Sequence, residues 1–105
     1  MIKLDRNDFH IGSMKIGETR RFEVLLTNES QNPVIISEIR AGCGSCTSAS
    51  LDKHSLEKDQ FGRLTIQFTP NSTGSYPKTV KITYGESNEA LAKTMIVTFN
   101  VTVTQ

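Results

Sequence analysis

Two cysteines, Cys43 and Cys46, are the residues of this chain whose type and spacing come closest to chemistry. The segment Cys43-Gly44-Ser45-Cys46 has the spacing of a dithiol redox pair, of half a zinc site, or of a tight disulfide loop. A redox pair draws its reactivity from a helix N-terminus that stabilises the thiolate. Here Thr47-Ser48-Ala49-Ser50 follows, which is poor helix-forming sequence, and no strand–helix unit surrounds it. A structural zinc site needs two further ligands. His10 and His54 are the available imidazoles, at spacings that match no standard zinc module. A structural turn with reduced thiols, a disulfide, a metal half-site and a redox pair all remain open, the first being the expectation.

Other routes to catalysis find fewer residues. With two histidines, one between apolar residues on an early strand and one among charges, no Ser, His and acidic constellation stands out. Gly12 and Gly17 form no nucleotide fingerprint, because no lysine precedes a Ser or Thr at a helix start. Neither a cofactor, a metal nor a small-molecule substrate is therefore expected. Phe61, Tyr76 and Tyr84 are the candidates for anchoring a protein partner, since aromatic side chains supply large contact area at little entropic cost.

The elements that must carry these residues read as strands. Phe9-His10-Ile11 is a short first strand. Phe22, Val24 and Leu26 alternate with charged or polar neighbours, and Val34 to Ile39 follows the turn at Asn32-Pro33. Leu64, Ile66 and Phe68 alternate again, as do Val80, Ile82 and Tyr84 after the turn-rich Thr69-Pro70-Asn71-Ser72-Thr73-Gly74. Gly85 to Glu89 reads as a hairpin tip, and the last stretch places Met95, Val97, Phe99, Val101 and Val103 on one face. Ala41 to Ser50 fits either a short bent strand or a packed loop, and Leu51 to Gln60 an exposed connection with one brief helical turn. About seven strands without intervening helices predict an all-β sandwich, with a five-strand barrel left open because alternation does not say how sheets close. The expected core is Phe22, Val24, Leu26, Ile66, Phe68, Val80, Ile82, Phe99 and Val101. Residues 1–8 are expected as an N-terminal extension and residues 9–105 as the domain.

Composition limits the partners. At 105 residues the chain suits one domain that closes its own core. Twelve basic and eleven acidic side chains leave a formal charge of +1, and neither half is polarised enough to read as a nucleic-acid or membrane surface. Arg20-Arg21, flanked by Glu18 and Glu23, reads as a solvated strand edge. The first residues lack a signal-peptide apolar run and no apolar run of spanning length occurs. Export through such a signal and a membrane span are therefore not expected, nor is a glycan on the sequons at Asn28, Asn71 and Asn100.

The residues also resemble a family. Phe9-His10-Ile11-Gly12 with Gly17-Glu18, Asn28, Pro33-Val34-Ile35-Ile36-Ser37, Cys43-Gly44-Ser45-Cys46-Thr47, Phe68-Thr69-Pro70 and Gly74-Ser75-Tyr76-Pro77-Lys78 resemble the bacterial DUF1573 family. That family is itself similar to the ASH and MSP-like immunoglobulin-type domains. Ser45 interrupts the family's Cys-Gly-Cys-Thr pattern, and Asp59-Gln60-Phe61-Gly62 replaces its Pro-Gly. The resemblance covers residues 9–103 and implies an immunoglobulin-like sandwich with a role in protein assemblies. It implies no reaction. Similar domains occur as small components of phage particles, so the expectation is a non-catalytic structural or protein-binding module, in its specific form a small virion assembly protein. Its rivals are a thiol-disulfide exchanger using Cys43 and Cys46 and a cytoplasmic adaptor. A protein partner or self-association is expected, through a sheet face or an unpaired edge, with the final strand as the first suspect.

Overall fold

Half-wet strands can hide their apolar rows only against one another, and the chain does so in two stacked sheets. The structure is a computed structural model that describes residues 2–5, 8–41, 47–86 and 92–105, without the side chain of Tyr76. Nine strands occur among these residues. They are β1 (Ile2–Leu4), β2 (Asp8–Lys15), β3 (Arg20–Asn28), β4 (Val34–Ala41), β5 (Thr47–Leu51), β6 (Ser55–Leu56), β7 (Phe61–Phe68), β8 (Gly74–Glu86) and β9 (Lys93–Thr104). The first sheet has the order β1-β3-β7-β5 and the second β2-β9-β8-β4-β6. All pairings are antiparallel except β2 with β9, which is parallel.

The sandwich expected from alternation, of the immunoglobulin-like type that the resemblance implies, is the observed architecture. Val24, Leu26, Leu64, Ile66 and Phe68 of the first sheet face Val80, Ile82, Val97 and Phe99 of the second, all fully buried. Burial of each such side chain contributes about 1.5–3 kcal/mol relative to exposure. Phenylalanine rings join the layers: Phe9 and Phe22 lie 4.7 Å apart, Phe22 and Phe99 5.2 Å, and Phe68 and Phe99 5.3 Å. Phe22 packs against this core while remaining partly exposed.

Three expectations change and one open reading is settled in part. Residues 1–8, read as an extension, contribute β1, whose Ile2 is buried and pairs opposite Asn28. The connection from Leu51 to Gln60 contains no helical turn; it carries β6, paired with Val34 and Ile35, and buries Leu56 completely. A two-residue strand holds too few residues to show alternation, which is why the sequence pattern misses it. Of the stretch Ala41 to Ser50, open between bent strand and loop, residues 47–50 belong to β5, paired with β7 along its whole length, and residues 42–46 lie outside the described residues. The final strand, suspected as an edge, is interior: β9 lies between β2 and β8. Its outward Thr row marks a wet sheet face and not an open flank.

Candidate functional site

The sequence candidates do not converge. Cys43 and Cys46 lie outside the described residues; the chain leaves the second sheet at Ala41 and enters the first at Thr47. Phe61 is 51% exposed and starts β7 opposite Thr27. Tyr84, by contrast, is half-buried and packs against the core, so it helps close the sandwich. The backbone of Tyr76 pairs with Val101 in the second sheet. Phe61 and Tyr84 therefore share no single outward surface, and the side chain of Tyr76 lies outside what the structure describes.

The histidines are similarly dispersed. His10 is exposed on β2, with Nε2 4.0 Å from Asp8 Oδ2. His54 pins the short β6 connection to β4: its carbonyl accepts from Ile36 N–H at 2.8 Å, and its Nδ1 lies 3.3 Å from the Ile36 carbonyl. Among the described residues, no three His, Cys, Asp or Glu side chains are grouped to hold a metal ion. On the outer face of β2, β8 and β9, His10, Ser75, Pro77 and Asn100 outline a depression of about 370 Å³. Its polar groups serve one another: Ser75 and Thr102 hydroxyls share a 2.9 Å hydrogen bond, and Asn100 Nδ2 reaches Asp8 Oδ1 at 3.5 Å.

One buried polar residue escaped functional or structural assignment from sequence. Asn28 is fully buried. Its Nδ2 donates to the carbonyls of Asn32 and Leu56 at 3.0 and 2.9 Å, and its Oδ1 accepts from Ser30 N–H and Oγ–H at 2.9 and 2.6 Å. Its main chain bonds Gln60 and Asp59. Asn28 thus ties the β3–β4 turn to the β6–β7 connection, and no donor remains for a sequon's glycan. Nearby, hydrogen bonding to Ser30 holds the Glu86 carboxyl below the usual glutamate range against the opposing effect of burial, with further help from Asn32 and Lys93.

Attention then falls on the sheet edges, where a strand's unpaired N–H and C=O groups can recruit another chain. Most are blunted. β2 carries a bulge between His10 and Gly12, where Gly12 adopts φ 86°, and ends on Lys15. Glu18 caps that end, accepting from Lys15 N–H at 2.7 Å through Oε1 and donating its own N–H to the Lys15 carbonyl at 3.0 Å. Where β3 outruns the short β1, it bears Arg20, Arg21 and Glu23. Leu25 N–H is taken by Asp5 Oδ1 at 2.8 Å and its carbonyl by Asp5 N–H at 3.1 Å. Where β4 outruns β6, it has a bulge at Ser37 and the Glu38–Arg40 ion pair at 3.3 Å. Where β8 outruns β4, Pro77 removes a donor.

β5 has none of these devices. Its sequence Thr-Ser-Ala-Ser-Leu contains no charge, no proline and no bulge. Asp52 N–H donates to the Arg63 carbonyl at 3.2 Å, which fixes the ladder's phase. In an antiparallel pair the direction of the backbone groups alternates along the strand. Ser50 and Ser48 therefore face β7, while Ala49 and Leu51 aim N–H and C=O away from the sheet. The side chains of Ala49 and Leu51, with Ile39 from β4, are partly buried against the core along the same flank. Gly62 on β7 permits this packing, since a Cβ there would sit 3.3 Å from Leu51 Cδ1 and 3.4 Å from Leu56 Cδ2.

The sequence matches the family described as protein of unknown function DUF1573 over residues 2–103. This chain belongs to the DUF1573 family. A sequence search of curated proteins finds no match. Among solved structures, the ASH/PapD-like domain 7 of human CEP192 is similar with a TM-score of 0.73 and 14% identity, over 99% of this chain and 85% of that one. WR4, an MSP family member of C. elegans, is similar with a TM-score of 0.66 and 11% identity, over 99% and 98%. The YadV chaperone is similar with a TM-score of 0.70 and 9% identity, over 99% of this chain but 52% of its own. Matching domains also occur inside a protease and a glycoside hydrolase, of which this DUF1573 chain spans 31% and 23%. The likeness thus carries the PapD-like and MSP-like immunoglobulin fold and no activity. Among the described residues, no helix is long and apolar enough to cross a membrane.

Proposed function

We propose that this DUF1573 domain is a non-catalytic protein-binding module that meets its partner at the β5 flank of the sandwich. The unblunted β5 edge carries this reading, because every other long edge among the described residues bears a bulge, a charge, a cap or a proline. The PapD-like and MSP-like likeness supports it, since one similar structure is the YadV chaperone and another is PapD-like domain 7 of human CEP192. The more specific reading as a virion assembly protein, and its rival as a cytoplasmic adaptor, differ in the partner and not in the mode of contact. Nothing in the fold favours the virion.

A photo-crosslinking residue placed at Ser48, compared with one at Ser13 on the blunted β2 edge, tests the module in its native source. Crosslinking of one protein from Ser48 and not from Ser13 is expected. Equal labelling from both positions would remove the β5 flank from consideration. Thiol exchange by Cys43 and Cys46 is tested separately by thiol titration and a disulfide-exchange assay of Cys46→Ser, which the binding reading expects to be unchanged.

A further inference from the structure

The direction of the β5 backbone groups also restricts what can bind there. Resting on the protein-binding reading, we propose that the partner supplies an extended segment that adds to the first sheet as its fifth strand beside β5. The segment has aliphatic side chains at alternate positions and no charge at its centre. Its backbone would bond the outward N–H and C=O groups of Ala49 and Leu51, which point away from β7. A residue opposite Ala49 or Leu51 turns its side chain toward the same face as theirs, because side chains of paired strands align across a sheet. That face is the partly covered strip formed by Ile39, Ala49 and Leu51. Intervening residues turn toward Ser48 and Ser50, both exposed, and so toward water. The strand between Thr47 and Leu51 offers no charge to pair with a charged segment.

A flexible segment fits better than a second copy of the domain. Stable association of two folded proteins generally buries more than about 1,000 Å². A rigid edge of five residues contributes little of that by itself. An extended segment can follow the edge and also lay its alternate side chains over the apolar strip.

The test selects random displayed peptides of roughly ten residues on the intact protein, then measures their affinity and the hydrogen exchange of the protein's amides. Uncharged peptides with alternating aliphatic residues should be enriched and should protect Ala49 and Leu51 from exchange. Ala49→Pro removes an outward N–H without touching the β7 ladder, and should weaken binding by about tenfold or more while leaving the unfolding midpoint close to wild type. N-methylation of the peptide gives a second measure that does not depend on that variant folding. Methyl groups on the alternate amides facing β5 should abolish binding, whereas those on the intervening amides should not. Failure to enrich any binder, indifference to methylation in both phases, or a dimer of the protein alone that Ala49→Pro dissolves would overturn the proposal. Binders that protect Phe61 and Thr27 instead would overturn it too, while leaving the protein-binding reading intact.

Discussion

At the scale of single residues, the most consequential side chain is one with no reactive chemistry. Asn28 sits where β3 leaves the first sheet, and its amide satisfies four partners from two separate connections. Replacing it with alanine strips the buried Leu56 carbonyl and the part-buried Ser30 N–H of their partner, while the Asn32 carbonyl keeps its bond from Ser30 Oγ. Each unsatisfied buried group costs about 1–3 kcal/mol, softened where water can enter. Asn28→Ala should therefore lower unfolding free energy by about 2–3 kcal/mol in a denaturant titration. A loss below about 0.5 kcal/mol, the range of ordinary surface changes, would contradict the role given to this amide. Glu86 gives a pH signature near the same turn. Its folded-state pKa is depressed, so its contribution is present above the unfolded value and fades as pH falls through the folded one. Carboxyl shifts followed by NMR should place Glu86 below an ordinary glutamate, and Ser30→Ala, which removes the largest cause, should move it back up.

At the scale of elements, alternation made six of the seven longer strands and the sandwich visible, because each has one apolar and one wet face, while β5 stayed open between strand and loop. Val24, Ile66, Ile82 and Phe99 are buried as that pattern requires. Three things were hidden from it. β1 and β6 are too short for a period to register, and Phe61 sits at the very start of β7, where alternation does not say whether a ring faces inward. Strand order is also absent from periodicity, and this misplaced the expected edge on β9: nothing in the Thr-rich sequence reveals that β2 pairs beside it in parallel. Backbone direction at β5, on which the candidate site depends, follows from one hydrogen bond at Asp52 that no sequence pattern encodes. The blunting of β2 makes its own prediction. Glu18→Ala removes the acceptor for Lys15 N–H, so the Lys15 amide should exchange measurably faster while global stability changes by less than about 1 kcal/mol. Unchanged exchange would mean that the turn protects the edge without Glu18.

At the scale of the whole molecule, the sandwich is long and slender, 49 × 21 × 18 Å with a Cα radius of gyration of 14.8 Å. Its first residues belong to the domain. Deleting residues 1–5 should expose the β3 edge from Leu26 to Asn28, remove Ile2 from the core and cost about 1.5–3 kcal/mol from that side chain alone. Calorimetry of the truncated chain checks this; an unchanged midpoint would restore the reading of these residues as a dispensable extension. The parallel pairing of β2 with β9 has another consequence, one that concerns force. Both strands run the same way, one near the start of the chain and the other at its end. Once β1 is drawn off β3, tension applied through the two ends pulls β2 backward and β9 forward, sliding them lengthwise past each other. The bonds between them then bear the load together instead of parting one after another. The domain should accordingly yield at a higher force when pulled between β2 and β9 than when a single strand is peeled away.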